Sequence, residues 1–110
     1  MPALSYRIFT CAACGEIVRG KRHHAITCGA ACRVRLHRQP EVRARLEADS
    51  LALGLTVAHL LERRALAAMH PDLAARVDAG EIGIDAVRAE LFKRTLQDLF
   101  RRLKRRAAAN

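Results

Sequence analysis

The positions of four cysteines constrain this chain more than any other feature. All four lie between residues 11 and 32, as a close pair (Cys11, Cys14), thirteen intervening residues, and a second close pair (Cys28, Cys32). Two short-spaced pairs across a small gap bring four thiolates to one tetrahedral cation. Where thiols are kept reduced, such a set reads as zinc ligands rather than as disulfides. The expectation is one structural Zn2+ held by Cys11, Cys14, Cys28 and Cys32. A closed four-thiolate shell leaves no coordination position for water or substrate, so this zinc organises the fold and does not catalyse.

Size supports the same reading. A chain of 110 residues is one ordinary domain or two very small ones, and a unit of about 40 residues buries too little surface to fold without a metal or disulfides. With only four aromatic residues, the core must be aliphatic. No run of 18 uncharged apolar residues occurs, and Met1 to Arg7 carries no hydrophobic signal core, so a cytoplasmic protein without a membrane partner is expected.

Around the cysteines the chain reads as follows. Tyr6 to Phe9 carries a strand signal, and its aromatic residues are expected to cover the metal. Gly15 follows Cys14 where the chain must turn back over the metal, a position that favours φ > 0. Residues 16 to 27 read as a short hairpin turning near Gly20. Thr27 is placed to cap a helix starting at Gly29 or Ala30, with Cys28 at its start and Cys32 in its first turn, so that both sulfurs face one side. Pro40 ends that helix.

Beyond Pro40 the periodicity is helical. Glu41 to Asp49 places Val42 and Leu46 on one side, with a break at Asp49-Ser50. From Leu51 to His70 the residues Leu53, Val57, Leu60, Leu61, Ala65 and Ala68 form an apolar stripe, opposite Arg63 and Arg64. Gly54 weakens this core helix, and Thr56 offers a better N-cap for a later start. A short helix begins at Pro71 and ends at Gly80. The last helix carries Ile84, Val87, Leu91, Phe92, Leu96, Leu99 and Leu103 on one face, too much to leave uncovered unless it packs on the middle helix or on a second chain, and dimerisation through it is expected.

The order of knuckle, hairpin and ligand-bearing helix resembles the treble-clef zinc finger. C-x-x-C-G, a basic middle and C-x-x-x-C-R-x-R resemble more narrowly a finger of small bacterial and phage DNA-binding proteins. This chain departs from that pattern in having Gly29 where the group often has Ser, and in lacking an aromatic residue before Cys28. Residues 70 to 91 resemble a segment of partition-protein-like helical DNA-binding domains. The resemblances imply a mainly α protein: a treble-clef finger over residues 1–40, then a three- or four-helix domain over residues 41–110. The nuclease form of the treble clef needs a catalytic histidine on the strand and His or Asn on the helix. Only His24 and His37 are candidates, H-H-A-I-T lacks that family's acidic neighbour and proline, and the helix lacks Asn, so no enzymatic activity is expected.

Charge suggests the partner. The net charge of +9 divides into +6 over residues 1–40, −3 over residues 41–90 and +6 over residues 91–110. A four-thiolate zinc centre contributes roughly −2, which leaves the finger still basic. Arg19, Lys21, Arg22, Arg33, Arg35 and Arg38 have few acids nearby and are the expected nucleic-acid contacts, to phosphates from the hairpin and to bases or phosphates from the helix. The basic tail, Arg101 to Arg106, is a further cationic segment. The expected function is a small zinc-dependent DNA-binding protein, a transcriptional regulator of bacterial, plasmid or phage origin, with RNA in place of DNA left open by the sequence. The alternative is an adaptor that grips another protein through the finger and helices. No phosphate loop, nucleophilic triad or small-molecule site stands out.

Overall fold

The computed structural model describes residues 6–20 and 24–109. Two strands, β1 (Ile8–Thr10) and β2 (Ile17–Arg19), precede five helices: α1 (Ala30–His37), α2 (Pro40–Leu53), α3 (Val57–Met69), α4 (Pro71–Asp78) and α5 (Ile84–Ala109). The fold is mainly α, as the sequence implies. No helix among the described residues is long and apolar enough to cross a membrane.

The hairpin differs from its expected form. β2 pairs backwards with β1, antiparallel, with Ile8 opposite Arg19 and Thr10 opposite Ile17. Its connecting loop is therefore the Cys11–Gly15 turn itself, and the expected pairing of β2 with residues 24–27 does not form. Local pairing explains this: a strand already leads into Cys11, and the Cys11 N–H donates to the Glu16 carbonyl at 2.8 Å, closing the ladder across the ligand loop.

β1 alternates its side chains between two parts of the core. Ile8 packs with Ala65, Leu66, Leu73, Val87 and Leu91, whereas Phe9 packs with Leu46, Leu60 and Leu61. Phe9 thus faces the helices, in a cluster that Ala12 of the Cys11–Cys14 loop also joins. Burying each of these large side chains contributes about 1.5–3 kcal/mol, so the short strand is anchored mainly through α3. α3 lies against β1, α2 and α4 and forms the centre of the molecule.

Helix ends follow local chemistry. Pro40 stands at the first turn of α2, and Thr56 caps α3 by accepting the His59 N–H on its hydroxyl at 3.1 Å. α2 continues through the expected break, because the Ser50 hydroxyl donates to the Glu47 carbonyl at 2.9 Å and is satisfied within the helix. Gly54 does not weaken a helix from inside but closes one. At φ +67 it lets Leu55 N–H reach Ser50 O at 2.9 Å while its own N–H reaches Leu51 O at 3.1 Å, the paired bonds of a Schellman ending. Gly80, at φ +74, ends α4 in the same way.

The apolar stripe of α3 consists of Leu60, Leu61, Ala65 and Leu66, whereas Ala68 and, at the end of α2, Leu53 are exposed. Glu62 shares the buried face at 2 % exposure. Its carboxylate takes two hydrogen bonds from Arg88 of α5 and one from Arg7, which is itself 5 % exposed and stacked over the Phe9 ring at 4.4 Å. Arg7 also donates to the carbonyls of Ala25 and Ala58, both at 3.0 Å. One cation of the N-terminal basic segment is thus consumed inside the molecule, where it ties β1 to α3 and α5.

At 26 residues α5 spans about 39 Å. Its buried residues, Val87 and Leu91, lie in its first half, and Arg94 joins α4 through Asp72 at 2.7 Å. Beyond this point Leu96, Leu99, Phe100 and Leu103 are exposed. The radius of gyration, 16.0 Å, exceeds the roughly 13 Å of a compact chain of this length, as a projecting helix requires.

Candidate metal centre and its basic surroundings

The first ligand pair sits on the turn of the hairpin. Gly15, at φ +77, folds the chain back so that its N–H meets the Cys11 carbonyl at 3.0 Å, as expected. The second pair flanks the start of α1, with Cys28 two residues before the helix and Cys32 in its first turn. Thr27 is not the cap. Gly29 occupies that position with an extended backbone, and no side chain caps the helix. The Thr27 hydroxyl donates instead to the Gly29 carbonyl at 3.4 Å, which closes a tight turn around Cys28.

The four ligands meet as the spacing predicts. All four sulfurs lie within 4.8 Å of one another, with Cys14 and Cys28 at 3.9 Å and Cys28 and Cys32 at 3.3 Å, and no disulfide joins them. Tetrahedral zinc with bonds of about 2.3 Å requires sulfur separations of about 3.8 Å, so the donor set fits that ion. Cys11 is buried and Cys14 exposed, so the cluster sits at the edge of the core rather than within it.

Backbone dipoles favour charge on the sulfurs. Burial pushes the Cys11 thiol up, but the backbone N–H groups of Cys14, Ala13 and Cys28 outweigh it and bring Cys11 down to about 6. The Cys28 N–H meets the Cys11 sulfur at 3.4 Å. Cys32 moves the other way, to about 12, because its hydrogen bond with Cys28, its burial and the neighbouring thiolate all favour the protonated form. Four crowded sulfurs do not all ionise by themselves. A divalent cation held by Cys11, Cys14, Cys28 and Cys32 would supply the missing positive charge and displace the remaining protons.

The expected nucleic-acid contacts divide between two faces. Arg33 and Arg35 are exposed on α1, Arg38 is exposed at its C-terminal cap, and Arg19 is exposed on β2. None of these four has a carboxylate within ion-pair distance among the described residues. Lys21 and Arg22 lie outside the described residues, as does His23. Arg19 lines a cleft with Tyr6, His70 and Arg94 on the α5 side of the hairpin, whereas Arg33 lines a different one with His24, His37 and Arg43. Arg43 is not among the expected contacts, yet it lines the same cleft as Arg33, whereas Arg19 does not. The corner at Gln39-Pro40, which turns α2 back beside α1, was the signal that Arg43 would join the finger.

No protein-family model, curated protein or solved structure matches this chain.

Proposed function

We propose that this chain is a small zinc-dependent DNA-binding protein of the cytoplasm that works without catalysis, its zinc held in a treble-clef-like arrangement. The observation that carries the reading is the pairing of a metal-ligand helix with uncompensated basic side chains spread around its exposed sides. Cys32 lies in the first turn of α1, and Arg33 and Arg35 on that helix and Arg38 at its C-terminal cap are exposed. A rigid helix bearing unpaired guanidiniums suits phosphate and base contact. Control of transcription is the role such binding serves, and two copies joined through α5 would place two fingers on spaced half-sites.

Selection of random duplexes with the zinc-loaded protein tests this reading. An enriched motif is expected, with an affinity that falls steeply as salt rises. Failure to enrich any motif, together with an affinity insensitive to salt, would remove it.

One observation favours the adaptor as the second reading. The exposed stripe Leu96, Leu99, Phe100 and Leu103 has the spacing with which a helix enters an apolar groove of another protein. Recovery of a stoichiometric protein complex that survives high salt would favour it.

A further inference from the structure

The cleft beside the metal centre has a composition unlike that of three other clefts among the described residues. It occupies about 540 Å³ between the loop 24–29 and the α1–α2 corner, lined by His24, Thr27, Gly29, Arg33, His37 and Arg43 along with Ala25, Ile26 and Leu36. The lining contains two guanidiniums and two imidazoles but no carboxylate. The clefts on α3, on α5 and behind Cys11 each include at least one aspartate. The volume falls within the range of small-ligand sites.

The geometry points to a binding site for a phosphoryl group, held by Arg33 and Arg43 with His37 on the same wall. Planar guanidiniums match phosphate oxygens in pairs, so two of them on one cleft recognise a phosphoryl group better than a single-point anion. Arg43 is bonded to Glu47 at 3.3 Å, but that pair is exposed and one helical turn apart, a contact that a dianion readily displaces. Gly29 leaves the wall open, since a Cβ at this position would meet nothing within 4 Å. The metal fixes this wall as well, because Thr27, Cys28 and Gly29 are consecutive and Cys28 is a ligand. Four of the residues involved, His24, Arg33, His37 and Arg43, come from three separate segments that the zinc cluster and the Pro40 corner bring together.

The inference deepens the nucleic-acid reading, and rests on it only for the source of the phosphate. Inorganic pyrophosphate and a duplex of random sequence are therefore separate probes of the zinc-loaded full chain, both followed by calorimetry. Arg43→Gln and Arg33→Gln are each expected to weaken pyrophosphate at least about tenfold, the scale of a charged hydrogen bond. Arg76→Gln on α4 serves as the remote control, and far-UV dichroism reports whether each variant is folded. In the proton spectrum of the parent chain, pyrophosphate should shift the His37 ring signals.

Pyrophosphate binding that depends on Arg33 and Arg43 supports the site even if the duplex does not bind, in which case the DNA reading alone fails. Absence of pyrophosphate binding at millimolar concentration overturns the site, as does equal binding by parent and variants. Duplex binding that is unchanged in Arg43→Gln then leaves the DNA reading standing on other contacts.

Discussion

Arg88 holds Glu62 with two parallel hydrogen bonds, from Nε at 2.9 Å and Nη2 at 2.8 Å, on a carboxylate that is 2 % exposed. Arg7 approaches the same carboxylate at 3.4 Å from the opposite end of the chain. Burial lowers the pKa of the Arg7 guanidinium, and Glu62 opposes that shift by favouring the charged form. Breaking such a set leaves a buried cation without its anion. Glu62→Gln is therefore expected to destabilise the fold by ~3–5 kcal/mol, read as a lower urea midpoint. Replacing Arg7, Glu62 and Arg88 together with apolar residues of similar volume should cost far less. A Glu62→Gln variant as stable as the parent would show that the triad contributes nothing.

Metal loading should depend on pH in a definite direction. Cys11, held near 6, is already largely a thiolate at neutral pH, whereas Cys32, near 12, still carries its proton. Binding a divalent ion must expel that proton, so apparent affinity rises with pH and metal is lost as pH falls. Calorimetry of zinc binding in buffers of different ionisation enthalpy should show net proton release at pH 7. One ion per chain is expected, and Cys32→Ser should abolish tight loading. No proton release, or full loading of the Cys32→Ser chain, would contradict the four-thiolate assignment.

The end of α2 isolates a backbone effect from a packing effect. A Cβ on Gly54 would meet no atom within 4 Å, yet the residue sits at φ +67. Gly54→Ala should therefore cost about 1 kcal/mol through backbone conformation alone. Gly29, also open around its Cα but extended, should accept Ala at little cost. Chemical denaturation of the two variants side by side checks the difference, and equal midpoints would refute it.

What the sequence disclosed and what it hid divide along one line, whether the signal is local. The four ligands, the Thr56 cap, the Pro40 corner and the Gly80 ending depend on residues a few positions apart, and each stands where local chemistry places it. Glu62 looks like a solvated charge between Leu61 and Arg63, because its partners lie 55 and 26 residues away. Its position on the stripe of Ala58, Leu61, Ala65 and Leu66 was the available hint. β2 had apolar residues that suited either neighbour, and only the ladder across Cys11–Gly15 decides which it joins. The basic set divides for the same reason. Arg19 and Arg33 are near in sequence but face different clefts.

The outer half of α5 separates a fold contribution from an assembly contribution. Leu99 is 49 % exposed and Phe100 63 %, so neither side chain belongs to the buried core of a single chain. Leu99→Asp should change the unfolding free energy of the isolated chain by no more than ~0.5 kcal/mol, as for other exposed positions. If α5 joins two copies, the parent sediments at twice the chain mass at micromolar concentration and the variant at the single mass. The surrounding charge makes this association sensitive to salt in a particular sense. Arg101, Arg102, Lys104, Arg105 and Arg106 would face a second cationic helix, so added salt should strengthen the dimer while it weakens contact with DNA. A parent that remains monomeric at high salt would exclude α5 as a self-association face and leave its stripe to a different protein.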